Sequence, residues 1–111
     1  MPDIAFETID ALGYNIVCTK ERWSYIIAGH DELENRQEDV KNAIASPYKV
    51  FPSKTVENRY VACCYNTGPG KSFIKAVVSI DPIEVSGSVT TAYTAMEIGG
   101  ENIDASRQLY P

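Results

Sequence analysis

The chain has 111 residues, enough for one domain with a single hydrophobic core. Hydrophobic residues make up 44% and charged residues 23%, which is typical of a folded globular protein and excludes intrinsic disorder. The net charge of −5 disfavours a general nucleic-acid binder. Residues 48–93, however, carry five basic and three acidic side chains, so this middle segment is net +2.

Two absences narrow the class of protein further. No apolar run approaches the roughly 18 residues that span a bilayer, and the acidic start MPDIAFETID is unlike a secretory signal. These features predict a cytoplasmic protein with no membrane association. The three cysteines, Cys18 and the adjacent Cys63 and Cys64, match neither a disulfide framework nor a zinc site, and are interpreted as small core residues.

The first elements are short and locally well signalled. IAFETI and YNIVCT are rich in β-branched and aromatic residues, and the DALG between them predicts a turn, so a hairpin or one strand with an irregular lead-in is expected. Thr19 can cap a helix that begins near Lys20, and Gly29 is suited to end it. One face of that helix carries Trp23, Ile26, Ile27 and His30.

A second helix is predicted directly after His30. Asp31 followed by Glu34 has the spacing of a capping box, and the helical period continues to about Ala45. It should stop at Ser46, because proline disfavours helix at the residue before it.

After Pro47 the period becomes extended. Four runs, YKVF, TVENRYVACCYN, SFIKAVVSI and IEVSGSVTTAY, have strand composition, and NTGPGK and Asp81-Pro82 are turn signals between them. Short turns favour an antiparallel meander. The expected fold is a single α+β domain over residues 1–111, with a core of about 14–94 and a C-terminal tail at 95–111. Two N-terminal helices should cover one face of a four-stranded, mostly antiparallel sheet and leave the other face open to a ligand.

Strand alternation suggests which polar side chains meet on the open face. Arg59 should share a side of its strand with Val61 and Cys63, and Lys75 should point away from the helices. The last strand is rich in hydroxyl residues. If these groups met His30, the set would suit phosphodiester chemistry, with acid–base capacity from His and charge stabilisation from Arg or Lys. No metal and no cofactor is predicted.

Several elements together resemble a known group of nucleases. They are Trp23, Ile26, His30, Glu32, Pro47, Arg59, Tyr60, Tyr65, Lys75, Val77 and TTAY at 90–93. In this order they are similar to the phage-associated barnase, EndoU, colicin and RelE-like (BECR-type) nuclease families, over residues 14 to 94.

The resemblance implies a BECR/RelE-like fold and a metal-independent endoribonuclease of toxin or phage-effector type, which cleaves RNA by attack of the ribose 2′-hydroxyl. It implies that His30 is a general acid or base and that Arg59 and Lys75 stabilise phosphate charge. Thr91 and Tyr93, with the neighbouring Thr90, would contact the substrate. RNA and a protein antidote are the partners it suggests.

Two other interpretations stay open. The chain could be a catalytically inactive member that acts as a protein-interaction module, with His30 packed beside Trp23 at a helix junction. It could also be a subunit of a homodimer formed through the edge strand near YKVF.

Overall fold

A computed structural model describes residues 3–100 and 102–111. Its framework is one six-stranded sheet in the order β1-β2-β6-β5-β4-β3, with two α-helices between β2 and β3. The elements are β1 (Ile4–Ile9), β2 (Asn15–Thr19), α1 (Lys20–Gly29), α2 (Gln37–Ala45), β3 (Lys49–Pro52), β4 (Arg59–Tyr65), β5 (Phe73–Asp81) and β6 (Ser86–Ala95). In the described chain, neither helix has the length and apolar character that crossing a membrane requires.

The hairpin β1–β2 closes around the buried side chain of Asp10. One carboxylate oxygen accepts hydrogen bonds from the backbone N–H groups of Leu12 and Tyr14, at 3.0 and 2.8 Å, and these bonds fix the turn. Gly13 takes a positive φ of 95° in the same turn. The other carboxylate oxygen accepts the hydroxyl of Tyr60 on β4 at 2.5 Å, which ties the hairpin to the opposite half of the sheet.

Helix α1 forms as the sequence predicts. Thr19 caps it by accepting the backbone N–H of Arg22 at 3.1 Å, and the helix ends at Gly29. Trp23 and Ile26 are buried on the face that the spacing indicates.

The predicted start of the second helix is wrong. Asp31 begins only a short 3-10 turn, Asp31–Leu33, without a side-chain cap, and Asn35 then takes a left-handed φ of 63° that interrupts the helix. Helix α2 begins at Gln37. The preceding Arg36 reaches instead to the loop after β4, where its guanidinium donates to the carbonyl of Pro69 and the side chain of Asn66 at 2.8 and 2.6 Å.

The prediction of a four-stranded, mostly antiparallel sheet of BECR/RelE-like form is also wrong. The sheet has six strands and is mixed, because β2 pairs in parallel with β6 and thereby adds the N-terminal hairpin to the meander β3–β6. A parallel pair needs a long crossover, which the two helices and strands β3–β5 provide here. Gly87 makes the junction close-packed, since a Cβ there would lie 2.5 Å from the backbone oxygen of Ser79.

The two faces of the sheet are covered differently. The helices bury the main core, whose largest fully buried members are Ile16, Ile26, Leu33, Ile44, Tyr60 and Ile74. On the opposite face the C-terminal tail packs Ile98 and Ile103 against residues of β3, β4 and β5. The tail also pairs with β3, through Val50 and Tyr110. The face that was expected to be open is therefore partly covered, and the YKVF edge is occupied by the chain's own tail.

Candidate functional site

The uncovered part of the tail-side face contains a pocket of about 290 Å³. Strands β4, β5 and β6 form its floor, and its rim is made by the loop after β3 and by the tail. The lining residues are Ser53, Thr55, Val56, Arg59, Val61, Val77, Thr90, Thr91, Tyr93, Gly100, Asn102 and Ile103. We call this the Arg59 pocket. Seven of these twelve residues carry a polar side chain, so the pocket is suited to a polar ligand.

Arg59 is held in place by a chain of hydrogen bonds across three strands. Its Nε donates to Ser79 Oγ at 3.2 Å, directly opposite in the β4–β5 register. The Ser79 hydroxyl shares a 3.0 Å hydrogen bond with the hydroxyl of Thr90. Because Nε is used in this contact, the neighbouring strand β5 fixes the orientation of the Arg59 side chain.

Thr90 and Thr91 are adjacent in sequence, yet both line the pocket. Strict alternation would place them on opposite faces. The β5–β6 register shifts between Val77 and Val78, which face Thr91 and Val89, so Thr90 is the extra residue of a β-bulge. A bulge changes the direction of a side chain, and here it brings two neighbouring hydroxyls to one side.

His30 lines a second pocket together with the same two threonines. It is the C-cap residue that follows α1, and its backbone N–H donates to the carbonyl of Ile26 at 2.9 Å. This second pocket has a volume of about 590 Å³ and is lined by Arg22, Tyr25, Ala28, Gly29, His30, Thr90 and Thr91. We call it the His30 pocket. Thr90 and Thr91 belong to both pockets and so form the boundary between them.

Tyr93 lies between the Arg59 pocket and His30. It lines the Arg59 pocket, and its ring centroid lies 5.9 Å from that of His30. Burial, together with a smaller contribution from Cys63, raises the pKa of the Tyr93 hydroxyl. The phenol therefore stays protonated near neutral pH and can donate a hydrogen bond.

Lys75 takes a different position from the other predicted residues. It is on the expected face of β5, but only 2% of it is exposed, because the tail lies over it. Its Nζ donates a hydrogen bond to the carbonyl of Gly99 at 2.9 Å. Burial lowers the pKa of Lys75. It is not among the residues that line either pocket. The structure thus brings five of the six predicted residues to the joined pockets and places Lys75 beneath the tail.

The sequence interpretation missed Arg22 and Tyr25. Both are exposed on α1 and line the His30 pocket. Arg22 donates to the carbonyl of Thr90 at 3.4 Å, and so reaches from the helix to β6. A usable signal was present, since Arg22, Tyr25 and Gly29 are spaced i, i+3 and i+7 and share one helix face.

Among the acidic residues near His30, Glu32 is already engaged. Burial favours its protonated form, but hydrogen bonds from its own backbone and from Thr94, with the charge of His30, outweigh this and lower the pKa of Glu32. Thr94 donates to its Oε2 at 3.0 Å. Across residues 3–100 and 102–111, no cluster of three or more His, Cys, Asp or Glu side chains is placed to hold a metal ion.

Comparison of the chain with protein-family models, with curated proteins and with solved structures gave no match. The function must therefore be argued from the geometry of the two pockets.

Proposed function

We propose that the protein binds RNA across the two joined pockets and cleaves it by transesterification at the ribose 2′-hydroxyl. The observation that carries the proposal is that Thr90 and Thr91 line both pockets, so Arg59 and His30 open onto one pair of hydroxyls. A phosphodiester placed over this pair would meet a guanidinium on one side and an imidazole on the other. Those are the groups that charge stabilisation and proton transfer require.

In the proposed reaction the 2′-oxygen forms a bond to the adjacent phosphorus and the bond from phosphorus to the 5′-oxygen breaks. The products are a 2′,3′-cyclic phosphate and a 5′-hydroxyl. His30 takes the proton from the 2′-hydroxyl and can return one to the leaving 5′-oxygen. Arg59 and the hydroxyls of Thr90, Thr91 and Tyr93 bind the phosphate oxygens as negative charge develops.

A second candidate is RNA binding without cleavage. His30 is the only histidine of the chain, so a separate imidazole for the second proton transfer is lacking. This favours a protein that keeps the RNA site and lacks cleavage activity.

The test uses end-labelled, mixed-sequence single-stranded RNA in EDTA. Wild type is compared with His30→Ala, Arg59→Gln and Arg107→Gln, which changes an exposed arginine of the tail. We expect His30→Ala to reduce cleavage about 100-fold or more, the usual range for loss of an acid–base group, with little change in RNA affinity. Arg59→Gln should weaken both binding and cleavage, and Arg107→Gln should match wild type.

The outcomes separate the two candidates. Binding of RNA by wild type without cleavage would support this RNA-binding candidate and overturn the enzyme. Equal cleavage by all four proteins would identify a contaminating nuclease and also overturn it. If wild type neither binds nor cleaves RNA, both candidates are wrong. Replacing every 2′-hydroxyl of the RNA by hydrogen must abolish cleavage, because the attacking oxygen is then missing.

A further inference from the structure

Tyr25 is an exposed aromatic residue beside the candidate site. It is 68% exposed, and the guanidinium carbon of Arg22 lies 5.3 Å from its ring centroid. This cation–π contact supports the ring from one side. Because Arg22 also bonds to β6 through the carbonyl of Thr90, the pair is fixed relative to the hydroxyls at the pocket boundary.

Small residues line the His30 pocket together with Tyr25. They are Ala28 and Gly29, and a Cβ added at Gly29 would meet nothing within 4 Å. The pocket volume of about 590 Å³ falls within the range of small-molecule sites. There is thus open space for a planar group against an exposed ring.

From this arrangement we infer that Arg22 and Tyr25 form a second nucleotide subsite, so that the ligand is single-stranded RNA spanning at least two nucleotides. The inference rests on the proposed function and names the form of RNA that the same site takes. One nucleotide occupies the Arg59 pocket, the linking phosphate crosses Thr90 and Thr91 beside His30, and the next base stacks on Tyr25. A base inside a duplex cannot stack on a protein ring, so the ligand is unpaired.

The charges around the groove fit this path and limit its length. Arg22 and Arg59 flank the shared threonines, which gives a cation at each side of the linking phosphate. Beyond Tyr25 the next surface pocket is lined by Asp3 and Glu21 as well as by Lys20 and Arg22, so its charges balance. It offers no net positive charge to a further phosphate. The favourable track therefore extends over two nucleotides.

The experiment measures binding of 2′-O-methyl RNA of one, two and four nucleotides by fluorescence anisotropy. These probes lack the attacking hydroxyl and stay intact. Wild type is compared with Tyr25→Ala, Tyr25→Phe and a matched control, Tyr65→Ala, which removes a tyrosine that is 60% exposed on β4.

For wild type we expect affinity to rise roughly tenfold from one to two nucleotides, the order expected when one base stacks on an aromatic ring. The rise from two to four nucleotides should be small. Tyr25→Ala should lose the first gain and keep the affinity for one nucleotide, whereas Tyr25→Phe and Tyr65→Ala should keep both. A paired duplex of the same sequence should bind more weakly than the single strand.

Failure of this inference is distinguishable from failure of the proposed function. If Tyr25→Ala keeps the full gain, or if the duplex binds as well as the single strand, the subsite is wrong while RNA cleavage by wild type still stands. If wild type binds none of the probes and cleaves no RNA, the proposed function and the subsite are both overturned.

Discussion

Replacing Tyr60 by Phe tests the contact between the N-terminal hairpin and the rest of the sheet. The hydroxyl of Tyr60 donates to Asp10 at 2.5 Å, and both residues are buried, with 2% and 6% exposed. Burial, and next the hydrogen bond and charge of Asp10, raise the pKa of Tyr60 well above its ordinary range, so the phenol remains a donor. The substitution leaves one carboxylate oxygen without this donor.

The expected loss follows from the kind of hydrogen bond. A hydrogen bond to a charged group contributes about 1.5–3 kcal/mol, and the free energy of unfolding should fall by about that amount. With a urea slope of roughly 1.5 kcal/mol per molar, the midpoint of unfolding should fall by about 1–2 M at an unchanged slope. The matched control is Tyr25→Phe, which changes a tyrosine that is 68% exposed and should shift stability by less than about 0.5 kcal/mol.

A double-mutant cycle with Asp10→Asn isolates the pair. The two substitutions should be coupled, since each removes part of the same interaction. If Tyr60→Phe lowers stability no more than Tyr25→Phe does, or if the two changes are simply additive, this hydrogen bond does not anchor the hairpin.

Two further predictions concern the sheet and its response to pH. Gly87→Ala places a Cβ 2.5 Å from the backbone oxygen of Ser79, so it should destabilise the protein by about 1–3 kcal/mol in thermal unfolding. The control is Gly99→Ala, which should be neutral because nothing lies within 4 Å of its added Cβ. Equal melting temperatures of the two variants would contradict the close packing at Gly87. Thr94→Val removes the side-chain donor to Glu32. The lowered pKa of Glu32 contributes stability that is fully present above the ordinary pKa of 4.5, and this stability is lost as pH falls through the pKa of the folded state. The difference from wild type should therefore shrink when stability is measured from pH 7 to pH 3, and a constant difference would show that the hydrogen bond is unimportant.

The parts of the fold that the sequence predicts are local. The cap at Thr19 and the buried face of α1 depend on residues within one or two helical turns, and both are confirmed. The start of α2 depends on Arg36, which pairs with Asp39 in the first turn and also with a loop 30 residues or more away. No local pattern could show that Asn35 would interrupt the helix for this contact.

The sheet and the site show the same division. Alternation places Arg59 and Tyr93 on the tail-side face, and both line the Arg59 pocket. It cannot reveal the bulge at Thr90, because an extra residue is defined only by the register with β5. The burial of Lys75 depends on the tail, which has no periodicity to predict where it packs.

The parallel pairing of β2 with β6 has a consequence for the order of folding. During synthesis the hairpin β1–β2 is made first, but the strand it pairs with begins at Ser86, about 70 residues later in the chain. Until then the hairpin exposes an unpaired edge and the apolar side chain of Ile16, which is fully buried at the end. Contacts of such sequence separation slow folding, so completion of the sheet should be the late step, and a ribosome-bound chain ending before β6 should be prone to association.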